Sequence, residues 1–99
     1  MNAATREQTL KLLSAHKATL ADRYDVATIA LFGSTARGTA REDSDIDILV
    51  TFHGPATSSR FFGTQFYLED LLQRPVDLVT GKALREEFRA KVLAEAHDV

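Results

Sequence analysis

The sequence contains no cysteine, which removes disulfides, thiolate chemistry and cysteine-ligated zinc from what it can do and agrees with a reducing, cytoplasmic setting. It has no apolar run long enough to cross a bilayer. Met1 to Gln8 carry no apolar stretch of the kind a secretory signal needs, so none is expected. A strong charge of either sign is missing too. Lys and Arg number 12 against 14 Asp and Glu, the formal charge is -2, and the basic residues are scattered, so nothing draws the chain as a whole to nucleic acid. Linkers, internal repeats and low-complexity segments are absent. What remains is a chain of 99 residues, 44% hydrophobic and 26% charged, with room for one small globular domain and a modest core.

Its centre is the stretch from Ile29 to Val50, IALFGSTARGTAREDSDIDILV. An apolar run ends at Phe32, a small-residue turn follows at Gly33 and Ser34, and a polar connector leads to a second apolar run entered through Asp45 and Asp47. Strand alternation puts Asp45 and Asp47 on one face of that run and Ile46, Ile48 and Val50 on the other. Adjacent carboxylates raise each other's pKa unless a cation intervenes. The economical cation is Mg²⁺, which accepts a couple of carboxylates and keeps its other positions for water and phosphate oxygens. Gly33 at the turn lets a backbone approach a phosphate, and Ser34 near a short helix N-terminus adds a donor. Arg37 offers a charged fork, and Gly38 ends the turn.

Around this centre the patterns alternate. Thr5 to Leu20 reads as a helix with Leu10, Leu13 and Leu20 on its apolar stripe, Leu12 widening it, and a weak capping box from Thr5 to Gln8. His16 within it reads as a surface or interface residue. Ala21 to Asp25 ends that helix. Strands are expected at Thr28 to Phe32, Ile46 to Phe52 and Val76 to Thr80. Ser58 or Ser59 to Leu72 is expected to be a helix with Phe62 and Phe66 in the core, and Lys82 to Ala96 a closing helix with Leu84, Phe88 and Val92 at four-residue intervals. His53 falls on a turn beyond a strand end and reads as a surface histidine. The fold class is α/β in the α+β sense, a small mixed sheet with helices mainly on one side. In the third strand Asp77 is a lone carboxylate in an apolar run, expensive unless paired or metal-bound, and so a candidate third ligand beside Asp45 and Asp47.

Two motifs are approached and missed. Gly33 and Gly38 have P-loop spacing, but Thr39-Ala40 stands where Lys-Ser/Thr belongs. Asp43, Asp45 and Asp47 imitate a calcium loop, yet Ile48 replaces its sharp-turn Gly and Gly54 its bidentate Glu. Asp43 then reads as a solvated turn residue.

Gly33-Ser34, ten residues, then Asp45-x-Asp47 resembles the defining motif of the DNA polymerase beta-like nucleotidyltransferases. ALFGSTARG, DSDIDILV and RPVDLVT narrow the resemblance to the minimal nucleotidyltransferases that act as antitoxins beside HEPN-domain toxins, the MntA family. The similarity runs from about Leu10 to Val92. It implies a single minimal nucleotidyltransferase domain over residues 1–99, with Asp45 and Asp47 as the metal-binding pair. It also implies Asp77 as the carboxylate that orients and deprotonates the acceptor hydroxyl, and Gly33-Ser34 as the phosphate turn. The activity implied is AMP transfer from ATP, with two Mg²⁺ ions, to a tyrosine of a cognate HEPN ribonuclease, with Arg37 and the Ser34 turn steadying the leaving pyrophosphate. Neutralisation by contact alone, and transfer to a small molecule or RNA, are the alternatives that the residues leave open.

Overall fold

The computed structural model describes residues 5–41 and 43–99; the first four residues of the Met1 to Gln8 opening, and Glu42 of the polar connector, lie outside them. The elements run α1 (Arg6–Tyr24), β1 (Val26–Phe32), α2 (Gly33–Arg37), β2 (Ile46–Phe52), α3 (Ser58–Leu72), β3 (Val76–Thr80), a 3₁₀ turn (Gly81–Ala83), α4 (Glu86–Glu95) and β4 (His97–Asp98). The sheet order is β3-β2-β1-β4, with β1 antiparallel to β2 and β4, and β2 parallel to β3. It is the expected small mixed sheet, with one strand more than the sequence suggests.

Cross-strand register sorts the side chains into two faces. Ile29 and Leu31 stand opposite Val50 and Ile48, and Ile46 and Ile48 opposite Val76 and Leu78. These seven residues are buried with Leu13 and Leu20 of α1 and Leu68 of α3, so the two long helices cover this face as the sequence leads one to expect. The opposite face presents Phe32, Asp47, Asp77 and Val79.

The first helix starts as expected, with the Thr5 hydroxyl accepting from the Gln8 amide at 3.1 Å. It runs past Leu20 to Tyr24 and stops at Asp25, whose φ of 58° is left-handed. Arg60 holds that Asp25 carboxylate at 2.7 Å. Strand β1 correspondingly begins at Val26 rather than Thr28. Leu12 is 39% exposed and does not widen the buried stripe. His16 is half-buried, its Nδ1 2.6 Å from the Tyr67 hydroxyl across α1 and α3.

Two further expectations are overturned. Phe62 and Phe66 are 50% and 63% exposed, stacked on each other outside the core. Thr64 and Leu68 are the buried positions of α3, and a step of two residues carries a side chain roughly 200° around a helix, so Phe62 and Phe66 face away. The closing helix is also shorter than Lys82 to Ala96. Leu84 and Arg85 are extended between the 3₁₀ turn and α4, and α4 buries none of its residues. The Arg89 guanidinium donates to the Gly81 carbonyl at 3.0 Å, tying the helix to the turn before it. Beyond it, β4 pairs His97 and Asp98 with Leu31 and Ala30.

Candidate active site

The site is placed by register. Parallel pairing of β2 with β3 sets Asp47 directly opposite Asp77, and antiparallel pairing of β1 with β2 sets Phe32 opposite Asp47. The next residue, Gly33, therefore arrives against the Asp47 carboxylate as the chain turns into α2. Its φ is +73°, and a Cβ there would overlap the Asp47 carboxyl group, lying 2.8 Å from Cγ and 3.1 Å from Cβ. Glycine is thus required both by the left-handed backbone and by the carboxylate packed on it.

Burial pushes the Asp47 carboxyl up from 3.8 to about 6. The negative charge of Asp77, a hydrogen bond shared with it, and the charge of Asp45 push in the same direction, and Arg37 offsets part of the rise. Asp47, opposite Asp77, therefore takes up a proton more readily than an ordinary aspartate, at a site short of positive charge. That donor set fits a divalent cation, which would relieve the repulsion and keep both groups ionised. The expected cluster of three is looser than its sequence pattern. Asp45 is exposed and precedes Ile46, the first paired residue of β2, so the register that sets Asp47 against Asp77 does not fix it. Among the described residues, no three His, Cys, Asp or Glu side chains are gathered closely enough to hold a metal ion as they stand.

On the other side of Gly33, Ser34 is the second residue of α2, and Gly38 closes that helix with φ +78° while its amide reaches back to the Ser34 and Thr35 carbonyls. Thr35 is buried, and its hydroxyl has no partner among the described residues. Arg37 projects from the last position of α2, but its guanidinium lies 3.1 and 3.2 Å from the two carboxylate oxygens of Glu95 on α4. Asp43 and His53 are exposed, as their turn positions suggest.

Asp47, Asp77, Gly33 and Arg37 open into one cleft of about 400 Å³, floored by Phe32 and Val79 of the sheet. Its far wall is the α4 region, with Leu84, Phe88, Lys91, Val92 and Glu95. Sequence reasoning missed this wall. The four-residue spacing of Leu84, Phe88 and Val92 marks an amphipathic stripe, but nothing in the spacing says whether the stripe meets a core or a cleft.

Comparison with known proteins bears on what such a cleft does. Residues 13–98 match the nucleotidyltransferase domain family. The chain is 43% identical over 91 residues to protein adenylyltransferase MntA of Thermococcus cleftensis, covering 92% of each protein. Among solved structures it is similar to a minimal nucleotidyltransferase, with a TM-score of 0.81 and 36% identity over 97% of both chains. It shares its fold with a chain of a toxin-antitoxin crystallised with AMP-PNP, with a TM-score of 0.68, 24% identity, and coverage of 96% of this chain and 72% of that one. Metal-assisted transfer from a nucleoside triphosphate is general to these enzymes. With a carboxylate pair in register beside a glycine turn, and with these likenesses across nearly its whole length, the chain belongs to the nucleotidyltransferase domain family, among its minimal, MntA-type enzymes.

Proposed function

We propose that the protein transfers AMP from ATP to a tyrosine hydroxyl of a cognate HEPN-domain ribonuclease and thereby acts as its antitoxin in the cytoplasm. The observation that carries the reading is the pairing of Asp47 with Asp77 beside Gly33 in one cleft. The likeness to a protein adenylyltransferase supports a protein acceptor, and the fold shared with a toxin-antitoxin chain supports a toxin as that protein.

Asp45, Asp47 and Asp77 would hold two Mg²⁺ ions, which would supply Lewis acidity for phosphoryl transfer and neutralise the carboxylates. The other contributions come from the chain. The Gly33 turn and the Ser34 hydroxyl bind phosphate oxygens, and Arg37 exchanges Glu95 for the departing pyrophosphate. Asp77 is exposed, so a hydroxyl brought from outside reaches it without rearrangement of the sheet. There it accepts the acceptor's proton as the oxygen attacks the α-phosphorus and the bond to the pyrophosphate breaks. A new phosphodiester joins AMP to the acceptor.

Intact mass spectrometry of the purified pair incubated with Mg²⁺ and ATP tests this. The partner gains mass in multiples of one AMP, and the gain disappears with Asp77→Asn, which keeps the fold and much of the nucleotide binding. A partner of unchanged mass whose toxicity is nonetheless fully neutralised would establish contact alone as the mechanism. Label from ATP found only in RNA or a small molecule would reassign the acceptor.

A further inference from the structure

The cleft is too apolar for the chemistry so far assigned to it. Phosphates, cations and a hydroxyl need Asp47, Asp77, Gly33 and Arg37; they do not need Phe32, Val79, Leu84, Phe88 and Val92, which line the same space. Phe88 and Val92 lie one turn apart on α4, with Leu84 in the extended segment just before it, yet α4 fully buries none of its residues and Phe88 remains 52% exposed. Leu84 and Val92 are half-buried, while the Phe88 ring stands into the cleft with its face uncovered. A space of about 400 Å³ lies within the range that holds small molecules. It joins an apolar compartment to a compartment of carboxylates and guanidinium. Its counterpart is a molecule with a flat apolar ring at one end and a phosphate chain at the other.

We propose that the compartment between the sheet and α4 takes the nucleobase of the triphosphate, with Phe88 as its stacking face. The proposal rests on the nucleotidyl-transfer reading and adds to it what the site selects. Every side chain lining the cleft is either apolar or fully charged; among the described residues it presents no side-chain amide or hydroxyl. Such a wall recognises a ring by its face and has no neutral donor-acceptor pair to set against one base edge. A site that makes no specific hydrogen bonds to a ligand cannot strongly reject its isostere. The enzyme is accordingly a selector of rings rather than of bases, and ATP and GTP are discriminated by less than about a hundredfold. Lys91 has no ion-pair or hydrogen-bond partner among the described residues and lines the same wall, free to meet phosphate oxygens.

The test is calorimetric titration of the full chain with Mg-ATP, Mg-GTP and inorganic tripolyphosphate. Phe88→Ala, at a half-exposed position of a helix with no fully buried residue, leaves the thermal melt in place. It weakens ATP by about five- to 150-fold, the range for loss of one base-aromatic stack, and leaves tripolyphosphate unchanged. Phe88→Trp restores ATP affinity. The slot is refuted if Phe88→Ala weakens ATP and tripolyphosphate equally or affects neither. It is refuted also if the variant raises only the KM of the protein acceptor, or if wild type separates ATP from GTP by more than about a hundredfold. Failure of the underlying reading looks different: wild type would not bind Mg-ATP, or Asp47→Asn would transfer like wild type, and the slot would fall with it.

Discussion

Replacing Gly33 by alanine puts a methyl group where the Asp47 carboxylate already is, and its cost separates into two parts that can be measured apart. The first is the left-handed backbone at φ +73°, which costs an L-residue about 1–2 kcal/mol. The second is overlap with the Asp47 carboxyl group, 2.8 Å from Cγ, which must be relieved by moving the side chain or the strand at about 1–3 kcal/mol. Asp47→Ala removes the carboxyl and leaves only the 3.1 Å contact to Cβ. In that background Gly33→Ala should cost little beyond the backbone strain. A double-mutant cycle by urea denaturation, in EDTA, should then show a coupling of about 1–3 kcal/mol between the two positions. In a domain of this size each kcal/mol moves the melting temperature by about 4–8 °C, so differential scanning fluorimetry would see the same effect. Transfer should be lost in the single Gly33→Ala variant, because the displaced carboxylate is the one paired with Asp77. Additivity of the two substitutions within about 0.5 kcal/mol would refute the claimed contact and, with it, the account of why glycine occupies this turn.

The raised Asp47 carboxyl gives a pH signature. Because its folded value lies near 6 against an ordinary 3.8, its contribution to stability is complete below the ordinary value and is lost as pH rises through the folded one. Asp47→Asn, fixed in the neutral form, should melt above wild type in EDTA once the pH passes 6. Solvent screening at this half-buried carboxyl holds the margin to about 1 kcal/mol, and it should shrink toward the ordinary carboxylate range and on adding Mg²⁺. A margin that does not vary with pH would remove the electrostatic explanation. Separately, Thr35→Val should stabilise the fold by about 1 kcal/mol in urea denaturation, since the buried hydroxyl has no partner among the described residues. A lower midpoint would show that the hydroxyl is bonded.

Much of the candidate site's geometry was legible because period-two alternation is a local property. It alone distinguishes Asp47 of β2, with Asp45 just before the strand, from the buried Ile46, Ile48 and Val50. Asp77 could be singled out only by the expense of a lone carboxylate in an apolar run; that it stands opposite Asp47 depends on a parallel register with a whole helix between the strands. The Arg37-Glu95 ion pair joins residues 58 positions apart and has no sequence signature at all. The phenylalanines of α3 misled because two apolar lines run along that helix, and the one through Thr64 and Leu68 meets the sheet. For the closing helix the spacing left open what the stripe meets, since an amphipathic stripe looks the same whether it lies on a core or over a cleft. A strand as short as β4 has no periodicity to read.

A helix with no fully buried residue has a melting equilibrium of its own. The ties on α4, from Glu95 to Arg37 and from Arg89 to the Gly81 carbonyl, are exposed polar contacts, and an exposed ion pair contributes about 0–1 kcal/mol. Its amides should therefore exchange with solvent deuterium through local opening, while those of Ile46 to Val50, sealed between neighbouring strands, should exchange only when the whole domain unfolds. The roof over the cleft then lifts on a far shorter clock than the floor, and one folded molecule can admit and release many nucleotides before its sheet once comes apart.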